Sequence, residues 1–359
     1  MRGLYDDNIN INSGDRISDF AVVIEPGLLL GFGDTIEHQE NFLQFAYSPS
    51  LFLYTERSED DAFQQLVHLE AQYRFSRLTL NLAEDIQILD GTNLDTTSNN
   101  GTINERVNLD VSGRSRVNIF TTKLDASYYL AGKTFLSSQV GASIYDYTSL
   151  ISSESISASL FINYIYGPKL TIGVGGGGGY TFVEGTAPDQ TSEQISARFT
   201  YDLSGKVSVS GSGGVEFRQF EGNSRGTYTS PVFELGYNYK PFDGTSLTLS
   251  ASRHVQSSAV LAGQDFTTTT ITASAQQRFF RKFTLGLSLG YENSDYFSTV
   301  GGTGSNRSDN YYFVQPGIDM TVTRFWTVGA YYLRRQNDSS SASSTFYDNQ
   351  LGIRTSLTF

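Results

Sequence analysis

From Lys282 to Glu292 the chain alternates without a slip: Phe283, Leu285, Leu287, Leu289 and Tyr291 fall on one side of an extended backbone, and Thr284, Gly286, Ser288, Gly290 and Glu292 on the other. The same period of two returns in residues 78–82, 136–144, 156–164, 207–218 and 247–255. It also closes the chain, where Leu351, Ile353, Leu357 and Phe359 oppose Gly352, Arg354, Ser356 and Thr358. Each segment alone is a weak signal; their repetition is a strong one. A soluble sandwich alternates as well, but its outer face is usually charged, whereas the polar face here is mostly Ser, Thr, Gly, Asn and Gln. That pairing of faces suits a wall between lipid and a water-filled lumen.

The connections are of two kinds. Short ones include Phe75-Ser76, Gly132-Lys133, Gly167-Pro168-Lys169, Leu203-Ser204-Gly205, Arg281-Lys282, Arg324 and Gly33-Asp34, and long polar ones lie between them, the longest being residues 90–113. Their alternation predicts an all-β fold: a transmembrane antiparallel up-and-down β-barrel with short periplasmic turns and longer extracellular loops, occupying residues 1–359 as one domain. The count is 18 strands, with 16 as the alternative, beginning with 4–12, 17–32 and 36–55 and ending with 346–359. Residues 103–113 fit an extra strand, a loop hairpin or an extension above the membrane, and 90–113 is the loop most suited to fold inward. The last strand is expected to close the barrel on Tyr5 to Ile11. Prolines at 26, 49, 231 and 316 fall inside strands and should mark irregular pairing.

Composition narrows this further. The hydrophobic fraction is 38% and mean hydropathy is -0.26, and no run approaches the roughly 18 apolar residues of a membrane helix. Without cysteine, disulfides, thiol catalysis and cysteine metal sites are excluded. A net charge of -12 argues against nucleic acid as a partner. Lys and Arg flank the short turns while acids crowd the long loops, so the molecule is electrically bipolar. Tyr164, Tyr166, Tyr201, Tyr237, Tyr239, Phe325 and Trp326 form one aromatic belt and Tyr145, Tyr147, Tyr180, Phe182 and Tyr296 belong to another. Met1-Arg2-Gly3 runs straight into Tyr5-Asp6-Asp7-Asn8, so the chain reads as a mature form with an added initiator Met, its secretory signal removed.

Candidate chemistry is sparse. Of the histidines, His68 and His254 fall on the polar face and His38 near a turn, with no nucleophile motif beside them, so no catalytic residue, enzymatic activity, cofactor or metal site is expected. The run Gly175 to Gly179 lacks the Lys-Ser/Thr of a phosphate loop and reads as a barrel corner, or else as a wall position that admits a folded loop or bulky solute. Projecting the alternation inward nominates pore-lining acids Glu25, Glu70, Asp125, Glu216, Glu234, Glu292 and Asp319, and bases Arg74, Lys123, Arg198, Arg218, Arg278, Arg335 and Arg354. Most should pair across strands, with a subset at a constriction.

The opening Tyr5-Asp6-Asp7-Asn8, Ser18-Asp19-Phe20 running into Pro26-Gly27, and the final Phe359 resemble the family called putative β-barrel porin 2, bacterial outer-membrane proteins, over the whole length. The resemblance implies a barrel in the outer membrane, and Phe359 is similar to the signal read by the barrel-assembly machinery. The leading expectation is a channel for passive passage of small hydrophilic solutes, with a cation preference from the acidic rim. The alternatives are a conduit for a secreted polysaccharide and a plugged structural or adhesion barrel. Outer-membrane lipids and the assembly machinery are the expected partners, and the oligomeric state is open.

Overall fold

The computed structural model describes residues 1–91, 108–111, 113–222, 226–300 and 306–359. Nineteen strands join one antiparallel sheet in chain order, and β19 (Phe346–Leu357) closes it by pairing with β1 (Arg2–Asp6). Two of these strands are halves of one stave. β2 (Asp19–Ile24) and β3 (Leu28–Gly33) both pair with β4 (Phe42–Tyr54), through Ile24↔Leu51 and Leu28↔Tyr47. That register sets Pro26 opposite Pro49, so neither residue can offer an N–H and the ladder lapses between the halves. The barrel therefore has 18 staves, the even number that the alternation predicts.

The remaining strands are β5 (Ala62–Arg74), β6 (Leu78–Gly91), β7 (Ser115–Ala131), β8 (Thr134–Tyr147), β9 (Ser153–Gly167), β10 (Leu170–Val183), β11 (Gln190–Ser204) and β12 (Val207–Phe220). They continue as β13 (Tyr228–Tyr239), β14 (Thr245–Ser257), β15 (Gln264–Phe279), β16 (Phe283–Ser298), β17 (Ser308–Thr323) and β18 (Trp326–Ser339). Alternate residues such as Leu124, Val140, Leu160, Val174, Ile195, Leu249 and Leu287 are exposed on the outer face. So much exposed apolar surface is intolerable in water and is what a hydrocarbon solvent selects.

Several boundaries differ from expectation. The first strand is Arg2–Asp6 rather than 4–12, and β19 pairs with it through Gln350 to Arg354, so the expected partner segment Tyr5 to Ile11 is met only at Tyr5 and Asp6. Residues 7–18 instead form a loop that Asn8 pins, its amide donating to Asn12 O at 3.0 Å and Tyr347 O at 3.0 Å. β3 pairs on one side only, with β4, among the described residues. The turn after it is not Gly33-Asp34 alone but residues 34–41, organised by the Asp34 carboxylate, which accepts the backbone N–H groups of Glu37, Gln39 and Glu40 at 3.1, 2.7 and 3.1 Å. Those hydrogen bonds also lower the Asp34 pKa, that from Gln39 most. Gly33 enters this turn at φ +79°, where a Cβ would stand 2.2 Å from Asn41 O. Gly33→Ala should cost more than ~1 kcal/mol, read as a lower urea midpoint for loss of the folded band on unheated gels.

The other prolines also interrupt pairing. At Pro316 the β17–β18 register skips from Val314↔Arg334 to Gly317↔Tyr331. Above Pro231, β13 keeps its bonds to β12 but loses β14, whose pairing with it ends at Phe233↔Arg253. This second break has a large consequence for the interior.

Candidate functional site

Freed from β13, the long-loop end of the β14–β15 hairpin leans into the barrel. Asp265 and Thr267 lie on the face that alternation assigns to lipid, yet are only 1% and 2% exposed, because Gln190 of β11 and Arg218 of β12 reach Asp265 and Tyr228 of β13 reaches Thr267. Arg218 donates to Asp265 Oδ2 at 3.2 Å and to Val255 O at 3.3 Å, and also pairs with Glu216 at 2.8 Å. Gln190 donates to Asp265 Oδ1 at 2.9 Å and Ser257 Oγ at 3.2 Å. The tip of the hairpin crosses to the far wall, where Ala259 joins Leu89, Val117, Ile119 and Tyr147 in one apolar cluster and its carbonyl accepts Ile151 N–H at 2.9 Å.

Residues 108–111 complete this closure. Leu109 packs among Ile11, Tyr311, Phe313, Leu333 and Phe346 on one side of the barrel, and Val111 among Leu89, Val117 and Ile119 on the other. Between them, buried Asp110 accepts Ser258 Oγ–H at 2.8 Å and Ala259 N–H at 2.6 Å. Arg307 donates to Leu109 O at 2.5 Å and pairs with Asp309 at 2.7 Å. Burial raises the Asp110 pKa, against the lowering effect of its hydrogen bonds and of Arg307. Inward folding of the longest loop is thus seen at its described end; residues 92–107 and 112, and with them most of the 103–113 alternative, lie outside the described residues. Residues 108–111 are not a strand.

Below this plug the lumen is polar and open. Over the glycine run, an alcove of about 410 Å³ is lined by Asp125, Ser137, Gln139, Ser159, Phe161, Ser192, Gln194, Arg198, Ser212, Glu216 and Glu234, with Gly176, Gly177 and Gly178 in its floor. The glycines are required there. A Cβ on Gly175 would stand 2.3 Å from Leu160 O and 2.6 Å from the Phe161 ring, and one on Gly177 would stand 2.6 Å from Ala158 O. The run stays in unbroken register with β9 and β11, and its missing side chains leave the inner face bare beside Phe161 and Arg198, which makes the recess. Arg198 lies over Phe161, 4.2 Å from the ring centroid, and its Nε donates to Asn163 Oδ1 at 2.9 Å while Nη2 donates to Ser137 Oγ. Glu234 faces it across the recess. The arrangement can hold a small polar solute by hydroxyl and amide hydrogen bonds, with a cation and acids at separate points.

The nominated residues fall into three groups. Asp125, Arg198, Glu216 and Glu234 meet in the alcove. Buried ones knit the upper wall: Arg218 as above, Glu292 accepting from Thr270 Oγ1 at 3.2 Å, and Arg335 paired with Asp348, which faces it directly on β19. The rest are dispersed. Arg354 bridges to Asp319 at 2.6 Å, spanning β18 over the bare Gly329; Glu25 meets Arg2 at 3.1 Å; and Glu70 lies 3.7 Å from His68. Lys123 and Arg278 are exposed, and Arg74 stands at the short-turn end of β5. His68 also meets Asp85 at 2.7 Å. Asp6, Asp7 and Asp348 place one oxygen each within 4.8 Å of the others, the one such group among the described residues, but Arg335 pairs with Asp348 and Arg16 with Asp7. Asp110, Arg307, Gln190 and Asp265 were not nominated. The apolar Leu109 and Val111 inside a polar loop are the signal that points to Asp110; Asp265 carries no such signal, because its strand leaves the plane of the wall.

The family described as putative beta-barrel porin 2 matches residues 237–359, in agreement with the resemblance over that part of the chain. No curated protein matches. Among solved structures, Pseudomonas aeruginosa OccK2 (OpdF) is similar over 99% of this chain and 95% of its own, at 11% identity and a TM-score of 0.50. Pseudomonas aeruginosa OpdK, solved with vanillate, covers 99% and 96% at 12% identity and a TM-score of 0.48. The copper transporter OprC matches 95% of this chain at 9% identity and a TM-score of 0.49, but this chain spans only 63% of OprC. Such distant likeness speaks for the fold alone: a bacterial outer-membrane-type β-barrel.

Proposed function

We propose that this protein is an outer-membrane channel whose lumen admits small hydrophilic solutes and whose extracellular half is shut by the Asp110-anchored plug. The single observation that carries the reading is the division of one barrel into a packed upper half and an open, hydroxyl-lined chamber with its charged alcove. The short-turn end faces the periplasm, and the acids of the long loops give the outer rim a cationic preference. The alcove is where a passing solute pauses, between Arg198 and the carboxylates of Asp125 and Glu234. The protein carries out no covalent chemistry in this reading and needs no cofactor. A polysaccharide conduit finds no support in the fold, because a polymer needs an unbroken wide path and the upper half is filled by side chains.

Planar-bilayer recording in a salt gradient tests the proposal. Arg198→Gln should move the reversal potential toward cations and Glu234→Gln toward anions, each by a few-fold in permeability ratio. Unchanged reversal potentials in both variants would remove the alcove from the conduction path. Absence of conductance even after the plug is released would favour the plugged structural barrel.

A further inference from the structure

The outer wall carries a second recess, on the side away from the lumen. Across β10 to β13 the outward positions shrink to Ala197, Gly211 and Gly213, which leaves a groove of about 800 Å³ rimmed by Ile172, Val174, Phe199, Phe233 and Leu235. The register explains its shape: Ala197 faces Gly213, so two adjacent strands lose their bulk together there, while the rings and methyls of Phe199 and Leu235 close over Gly211 as its rim. A Cβ at Gly213 would meet nothing within 4 Å, so this part of the groove is empty space. Its volume is within the range of about 300–1,000 Å³ typical of small-molecule sites, and its walls are apolar.

At its short-turn end the groove runs into a row of ammonium groups. Lys133, Lys169, Lys206 and Lys240 occupy consecutive turns beneath the strands that line it, all exposed. Thr134, the residue after Lys133, is itself part of the lining. Lys169 Nζ donates to Leu203 O at 2.7 Å and Lys206 Nζ to Pro241 O at 2.6 Å, so each side chain lies over the next turn and draws the positive charge into a line. Each ammonium keeps further N–H donors for an anion. Asp202, whose N–H donates to Lys169 O at 2.8 Å, and Asp243, in the last of these turns, are the acids at that level, fewer than the lysines.

We propose that this groove holds an acyl chain of an anionic phospholipid of the periplasmic leaflet, with its phosphate on the lysine row. Charge favours this occupant over a second copy of the chain. The other short turns carry Arg74, Arg77, Arg281, Lys282 and Arg324, so another copy would bring bases to the same depth as Lys169 and Lys206. An anionic headgroup neutralises the row, and the slot accepts a single flexible chain where flat wall would accept none in particular. The inference needs the outer face to lie in a bilayer; it does not need the lumen to conduct.

Native mass spectrometry of the full chain in mild detergent, titrated with phosphatidylglycerol or phosphatidylethanolamine, provides the test. Retention of phosphatidylglycerol should exceed that of phosphatidylethanolamine at least several-fold. Gly213→Trp, which fills the groove from the lipid side, should abolish the retained adduct. The double variant Lys169→Gln/Lys206→Gln leaves the wall untouched and should erase the preference between the two lipids. Equal retention of both lipids by the unmodified protein, or an undiminished preference in the lysine variant, would overturn the proposal. Heat-modifiable migration on gels establishes that each variant is folded before it is scored.

Discussion

Asp110→Ala should turn a mostly closed barrel into a mostly open one. Removing the carboxylate leaves Ser258 Oγ and Ala259 N–H without their buried acceptor, and the plug loses the contacts that join residues 108–111 to the β14–β15 tip. Two such losses weaken seating by ~2–4 kcal/mol in total, equivalent to about 30- to 1,000-fold in the closed-to-open ratio. Single-channel recording reads this directly as open probability, with Glu193→Gln on the outer face as the neutral comparison. Burial raises the Asp110 pKa, so the seated plug holds its proton more tightly than the released one. Seating is therefore strongest below the ordinary carboxylate pKa and weakens as pH rises through the raised one. Acidification from neutral should lower the open probability of the unmodified protein and have a smaller effect in Asp110→Asn. An Asp110→Ala variant as closed as its parent would show that apolar packing of Leu109 and Val111 alone seats the plug.

The second large effect is expected on stability. Arg335 and Asp348 are both 0% exposed and face each other across β18 and β19, next to the seam where β19 meets β1. Asp6 adds a second buried carboxylate beside Asp348, held by Gln350 Nε2 at 2.8 Å and Asn8 N–H at 2.8 Å. Arg335→Leu strands those acids in the wall and should cost ~3–5 kcal/mol, whereas the double change Arg335→Leu/Asp348→Leu should recover part of it. By contrast, the Arg354–Asp319 pair is 32% and 26% exposed, and Arg354→Leu should cost no more than ~1 kcal/mol. Urea unfolding from detergent, followed by the fluorescence of the single tryptophan, Trp326, would rank the three variants. A cost for Arg335→Leu no larger than that for Arg354→Leu would mean that water reaches the pair.

These two residues illustrate different degrees of legibility. Arg335 was nominated as a lumen base because alternation places it inward, and it is inward. Nothing in the alternation shows that Arg335 is sealed from water and Arg198 is not, since that depends on what fills the barrel above each. Pro231 was legible as an interruption, because a residue without an N–H must break a ladder. That the break would release the β14–β15 hairpin into the lumen was not legible, since it follows from where Gln190, Arg218 and Asp110 stand once the barrel is closed. Gly175 to Gly179 read as a corner or as a wall position that admits something bulky; the run keeps regular register with both neighbours, and that it floors an alcove needed Phe161 and Arg198 from neighbouring strands.

The sequence by itself determined the staves, their inward and outward faces except at the β14–β15 tip, the alternation of short and long connections and the membrane as solvent. Each of these is local: side-chain period, turn chemistry and proline act within a few residues along the chain. Only the tertiary structure decided that the upper lumen is filled, that four of the nominated charges meet in one recess and that the outer wall is grooved above its lysines. Those features join residues remote in sequence, such as Asp110 with Ser258, and arise because closing a twisted sheet brings the inner faces of opposite strands into one volume.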